Sequence, residues 1–331
     1  DSVKLAVEKG PGYVDVIGSD DVFSARDLDW SYDSVTASII LAGSSAEIQG
    51  SGAAADGSTI TIFAEGTYVI SGTLADGQIV VDAADTDKVQ LVLDGVSITS
   101  SSSAAIYVKS ADKVFVTLKD GTVSSLATTG AFIAIDENNI DGTIFAKDDL
   151  TINGTGTLEV SSTGHGIVCK DDLTIVAATV DVSASGHAIQ ANDSLGIAEA
   201  ALSLSAGSDG IHAADDEDAE EGWVYIASGT VSISAASDGI DASAEVQIDG
   251  GTIAISAGDD GVHAEYDLVQ NGGDVTISKS YEAYEAATIT VTGGTTDMVA
   301  SADGLNATGI SSGSSGGWGA GGGMEYNSTA Q

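Results

Sequence analysis

Cysteine, proline, arginine and long apolar runs are nearly missing from this sequence, and each absence closes a possibility. The single Cys169 rules out an internal disulfide, so no redox compartment can be read from bridges. Arg26 is the only arginine, and ten basic residues face fifty acids for a formal charge of −40. No basic stripe exists to displace phosphate counterions, which excludes nucleic acid as a partner. Such a surface suits cations, neutral ligands or a high-salt habitat, and it repels any polyanion approached directly. No apolar run nears the roughly 18 residues of a membrane span, which argues against insertion. The chain opens on Asp1, which fits a processed protein, so an extracellular or cell-surface location is expected. Aromatics make up only 5% of the chain, and few windows repeat every 3.6 residues. Helical bundles are therefore disfavoured.

What remains is Val, Ile and Ala alternating with Ser and Thr, punctuated by 42 glycines. SDGIHAADDEDAEEGWVYIASGTVSISAA (208–236) and SDGIDASAEVQIDGGTIAISAG (237–258) are versions of one unit. Aligned on their opening, the series runs GHGI (164–167), GHAI (186–189), SDGI (208–211), SDGI (237–240), DDGV (259–262), YEAY (281–284) and ADGL (302–305). The steps are 22, 22, 29, 22, 22 and 21 residues, the long one holding a seven-residue insertion within DDEDAEEG. A period of this length marks a solenoid. Three short strands fit one unit, at 239–242, 245–248 and 252–256, with Asp249, Gly250 and Gly251 as a turn. The spacing predicts an all-β, right-handed parallel β-helix of about 22 residues and three strands per rung. A leucine-rich repeat lacks support, and propeller blades need about twice the period.

Segments 77–98, 103–118 and 142–160 fit the same cycle more loosely. The expected organisation is an N-terminal segment (1–50) that caps the helix or adds a strand to a neighbour, the β-helix (51–310), and a Gly/Ser-rich tail (311–331). Stacking predicts an inward column of Ile167, Ile189, Ile211, Ile240, Val262, Tyr284 and Leu305. Further columns start at Val180 and Val182. No single rung could bury such a core alone.

The residue before the small position stacks as His165, His187, Asp209, Asp238, Asp260, Glu282 and Asp303, and a second column three residues on reads His212, Asp241, His263, Glu285 and Asn306. Rungs stack about 4.8 Å apart, so five carboxylates in file repel unless they face water, hold protons or share cations. Oxygen-rich clusters suit Ca²⁺, which takes about six to eight oxygen ligands. The candidate ligands are Asp209, Asp238, Asp241, Asp260, Glu282, Glu285 and Asp303; a solvated ladder of acidic turns is the plainer alternative. In the insertion, Asp215, Asp216 and Asp218 stand at ligand-like spacing, although Glu221 falls where an EF-hand needs glycine. A solvated charge run is the alternative there. ENNIDGTIFAKD (137–148) matches EF-loop positions but lies between strands. The four histidines could hold Zn²⁺, but the lone cysteine and the surplus of oxygen donors favour calcium. Trp223, Tyr266 and Tyr281 are candidates for stacking on sugar rings, with ordinary packing as the alternative for each.

FSARDLDWSYD (23–33), DGSTITIFAEGTYVISGTLADGQIVVDAADTDKVQLVLDGVSITSSSSAAIYVKSADKVFVTL (56–118), KDDLTINGTGTL (147–158), SDGIHAADDEDAEEGWVYI (208–226) and YEAYEAATITVTGG (281–294) resemble the secreted bacterial carbohydrate-binding domain family. The resemblance covers about 22–310. It implies a calcium-bearing, pectate-lyase-like parallel β-helix, whose clostridial prototype binds polygalacturonate, an acidic glycan, and cellulose. Two departures bear on calcium: His165 and His187 stand where the family has acids, and Ala283 and Tyr284 replace the usual glycine and aliphatic pair.

The expectation is a secreted, calcium-dependent binder of acidic polysaccharide without catalysis. A polysaccharide lyase needs a base beside the uronate carboxyl, and no Lys or Arg lies between 208 and 270. Lyase activity is accordingly the weakest alternative. Calcium-stabilised assembly of copies end to end into a surface fibre is the other, since solenoid ends present unpaired strands.

Overall fold

The computed structural model describes residues 17–215, 218 and 220–309, and over them the chain is a parallel β-helix. Asp216, residues 1–16 and the tail 311–331 lie outside the described residues. Each rung gives one strand to each of three parallel sheets. In the unit 237–258 these are Ile240–Ala242, Glu245–Ile248 and Thr252–Ser256.

The expected inward column forms residue for residue, from Ile167 through Ile189, Ile211, Ile240, Val262 and Tyr284 to Leu305. It also extends back through Ile144, Ile106 and Ile79 to Ile60. All of these are fully buried except Leu305, on the last described rung. β-Branched side chains suit this position because they pack well on a pleated surface, and each burial contributes about 1.5–3 kcal/mol. In the third sheet Val180, Leu202, Val231, Ile253 and Val275 stack likewise. There the outward residues are exposed, as Ser232 and Ser234 are in Gly229–Ala235.

The second sheet is different. Its strand Ser194–Ala198 is buried at all five positions. Residues 17–33 run back along its outer face as a strap. Ile17 exchanges two 2.8 Å hydrogen bonds with the Gln247 amide. Phe23 packs on Tyr225, with ring centroids 6.1 Å apart. Asp27, 1% exposed, accepts from Thr151 at 2.5 Å and pairs with Lys113 at 3.0 Å. Arg26 sits 4.8 Å over the Phe115 ring. A Cβ on Gly196 would come within 2.5 Å of Val22 Cγ1, so only glycine lets the strap lie this close. Ahead of the first full rung, Ala37–Gly43 and Ala46–Gly50 form an antiparallel hairpin whose first strand pairs with Gly66–Leu74.

The first sheet is covered over only part of its length. Its outward file starts with Val80, Tyr107, Phe145 and Val168, and the loop 129–141 lies over them. Phe132 and Ile140 pack there, and the Tyr107 hydroxyl donates to Asp136 at 2.7 Å. Beyond Val168 the file becomes Gln190, His212, Asp241, His263, Glu285 and Asn306. Charge replaces hydrocarbon where the cover stops.

Candidate cation-binding site

Each rung enters the first sheet through a tight bend. At Gly210 a Cβ would meet Ile233 Cγ2 at 2.3 Å, and at Gly239 it would meet the Gly261 carbonyl at 2.4 Å. The core side chain of the third sheet and the next rung leave no room for a side chain here. That is why glycine stands beside the acid. The bend also turns the residues on either side of it toward each other: His212 Nδ1 lies 3.4 Å from Asp209 Oδ2.

Residues before the bend form a ladder along the axis. The Asp238 amide donates to Asp209 Oδ1 at 3.0 Å, the Asp260 amide to Asp238 at 2.7 Å, and the Glu282 amide to Asp260 at 3.0 Å. Upstream, imidazoles take the same role: the His187 amide donates to His165 Nδ1 at 2.9 Å and the Asp209 amide to His187 Nδ1 at 3.3 Å. Burial holds the His165 imidazole below its ordinary pKa, which agrees with an unprotonated acceptor nitrogen. Each carboxylate thus commits one oxygen to the next rung, in a charge-assisted bond of about 1.5–3 kcal/mol. The second oxygen of Asp209 faces the His187 and His212 imidazoles at 3.0 and 3.4 Å, and Asp260 also shares a hydrogen bond with Glu285.

The outer file begins with a His–Asp–His relay. His212 Nδ1 lies 2.8 Å from Asp241 Oδ2, and His263 Nδ1 2.7 Å from Oδ1. Burial opposes charge on His212, but the hydrogen bonds to Asp209 and Asp241 outweigh it and raise its pKa to about 9. For His263 the bond to Asp241 dominates over burial, again giving about 9. Burial alone would raise Asp241, yet the two imidazoles pull it down to about 2. The same balance, with His187 and His212 as partners, holds Asp209 well below the carboxylate range.

Further along, the imidazoles run out and the acids crowd. Burial raises Asp238 to about 6, with the charges of Asp209 and Asp241 adding to it. Burial and shared hydrogen bonds with Glu282 and Asp260 raise Glu285 to about 7. Three clusters bring one ligand atom per residue within 4.8 Å of each other: Asp209/Asp238/Asp241, Asp238/Asp259/Asp260 and Asp260/Glu282/Glu285. All their donors are oxygens. Asn306 closes the row, donating to Glu282 at 2.7 Å.

Six of the seven carboxylates expected in the stripe therefore meet. Asp303 does not: it is exposed and belongs to no cluster of the described residues. In the insertion, Asp215 accepts from the Asp218 amide at 2.8 Å and Asp218 from the Glu220 amide at 3.0 Å, and neither joins a cluster. Trp223 is half-buried in the cluster under the strap and donates to Glu221 at 3.2 Å. Tyr266 is half-buried, whereas Tyr281 is 54% exposed next to Glu282. Asp259 is a cluster member the sequence reading passed over. So are Asp149, Asp171 and Asp172, which meet at the corner between the first and second sheets. Burial raises Asp149 to about 6 there, and burial with a bond to Asp171 raises Asp193 to about 7. The signal was the tandem KDDL at 147–150 and 170–173.

A family model described as carbohydrate-binding domain-containing protein matches residues 56–304. A protein of that description from Acetivibrio thermocellus is 41% identical over 120 residues, which is 35% of this chain and 42% of that protein. The match thus spans less than half of that relative's length. The solved structure of the polysaccharide lyase-like protein from C. thermocellum, a gadolinium derivative, is 30% identical with a TM-score of 0.61. The likeness covers 82% of this chain and 96% of that one.

Proposed function

The chain belongs to the family of carbohydrate-binding domain-containing proteins, and from that membership we propose that it is a secreted, calcium-dependent binder of uronic-acid polysaccharide, without catalysis. The observation that carries this reading is the row of three all-oxygen clusters on the open face. Their donor chemistry fits a hard cation. Burial and the neighbouring acids raise Asp238 to about 6 and Glu285 to about 7, and a divalent ion bound there would offset that crowding of charge. Asp209, Asp238, Asp241, Asp259, Asp260, Glu282 and Glu285 would hold it. Calcium bound there supplies positive charge where a uronate carboxylate would otherwise meet a protein of net charge −40.

The chain's own residues do the rest. The amide ladder fixes one oxygen each of Asp209, Asp238 and Asp260, which sets these acids at rung spacing. Tyr281, exposed beside the row, offers a ring face to a sugar. Neither file contains Lys or Arg, the residue types expected to supply the base of a uronate lyase. The gadolinium derivative of the C. thermocellum protein accords with a fold that takes hard, oxygen-seeking ions.

Affinity electrophoresis through polygalacturonate provides the test, with cellulose pull-down as a second arm. Migration should be retarded in CaCl₂ and released by excess EGTA. Retardation that survives the chelator refutes calcium dependence. A second reading, end-to-end assembly, draws support from the last described rung. Among the described residues its strands Thr295–Met298 and Leu305–Ala307 each pair on one side only, and Val299 and Leu305 are 59% and 55% exposed. Negative-stain filaments with calcium would favour it; a monodisperse monomer at high concentration would remove it.

A further inference from the structure

We propose that His187, Asp209 and His212 form a mixed nitrogen–oxygen site for a borderline divalent transition ion, with Zn²⁺ as the reference case, sharing Asp209 with the first of the all-oxygen clusters that follow. Nδ1 of His187 and Nδ1 of His212 lie 3.0 and 3.4 Å from the same atom, Asp209 Oδ2. The three ligand atoms fall within 4.8 Å of one another. Imidazole and carboxylate bind zinc at about 2.0–2.2 Å, so neighbouring ligands around one ion stand roughly 3.0–3.5 Å apart. The two spacings to Oδ2 already have that value.

The rings are set before any ion arrives. His187 and His212 stack with centroids 4.5 Å apart and planes 13° from parallel. His165 stacks behind His187 at 4.8 Å and belongs to no ligand cluster of the described residues, so it positions the site without joining it. His187 Nδ1 faces the Asp209 amide at 3.3 Å, which requires a lone pair on that nitrogen. An unprotonated nitrogen 3.0 Å from a carboxylate oxygen is repulsive unless a proton or a cation lies between them. A metal ion there would take the lone pair in place of the long 3.3 Å amide contact. Asp209 spends its other oxygen on the Asp238 amide, so Oδ2 belongs to the imidazole pair. Asp241 Oδ2, 2.8 Å from His212 Nδ1, is the next donor within reach. The two clusters farthest along the stripe contain no nitrogen. Imidazole selects zinc, copper and nickel, whereas carboxylate alone suits calcium and magnesium.

The test is calorimetric titration of chelator-stripped protein with ZnCl₂ in excess CaCl₂. One zinc equivalent should bind and resist displacement by calcium. His187→Gln and His212→Gln should each weaken it at least about tenfold, while His165→Gln leaves it within about twofold. Co²⁺ added to the unsubstituted protein should give the visible absorption of nitrogen-ligated cobalt, a readout that does not depend on any variant folding. No zinc uptake, zinc displaced by calcium, or zinc held undiminished by both histidine variants overturns the proposal. Failure of the wild type to take calcium would instead overturn the reading of the preceding section and leave this one standing.

Discussion

Val168 and Gln190 are neighbours in one file of one sheet, yet they belong to two different surfaces. On the Val168 side, Val80, Tyr107, Phe145 and Val168 lie under the loop 129–141. On the Gln190 side the file is polar and open, and Asp241 has an imidazole on each oxygen. The inward column does not register the change, since Ile144, Ile167, Ile189 and Ile211 are equally buried. The coil is thus indifferent to what its outward positions carry. Function is written on the outside, and aperiodic segments decide where it can be read.

The most damaging change should fall on the covered half. Phe145→Ala removes a fully buried ring and should cost about 3–5 kcal/mol in urea denaturation, with calcium affinity per folded molecule unchanged. A parallel fall in calcium affinity would show that the halves are coupled. Asp27→Ala, on the strap, should cost about 3 kcal/mol by stranding Lys113. Burial would raise the Asp27 carboxyl, but hydrogen bonds from Ser24 and Thr151 and the Lys113 charge pull it below 3.8. A depressed carboxyl contributes fully above its unfolded value and loses that contribution as pH falls through the lower folded one. Protection factors over 17–33, taken relative to the intrinsic exchange rate at each pH, should therefore fall on acidification below about pH 4 in the wild type, and be low at neutral pH in the variant. Protection that is flat with pH would detach the strap from Asp27. The smallest effect on stability belongs to the open half. Tyr281→Ala should stay within about 0.5 kcal/mol of wild type while weakening polysaccharide retention a few-fold. Unchanged retention would remove Tyr281 from the sugar surface.

The repeat made the coil legible. In the unit 237–258 the strands were placed to within one residue, Ile240 rather than Gly239 beginning the first. The convergence of acids followed from the same arithmetic, since the two columns flank one bend. The strap was hidden because its contacts join an aperiodic segment to the repeat across 124 to 230 residues, as with Asp27 to Thr151 and Ile17 to Gln247. Gly196, breaking a run of outward side chains, was the one local trace of the strap. The amide ladder needed side-chain direction, which a column of letters does not carry. Asp303 failed because it closes the last described rung, with no following amide among the described residues to fix it. Asp149, Asp171 and Asp172 are marked by the paired KDDL, but they lie at a different corner of the rung from the repeated bend that carries the stripe.

The amide ladder has a consequence for selectivity. Because Asp209, Asp238 and Asp260 are each tied to the backbone of the rung ahead, the spacing of these acids is the pitch of the coil, about 4.8 Å, and not an adjustable distance between flexible side chains. A polymer laid along the axis would meet one of them at each of three successive turns. The protein would then recognise its partner as a ruler does, by commensurate length, and adding or deleting one 22-residue turn would change how many sugars are counted without altering how any one of them is held.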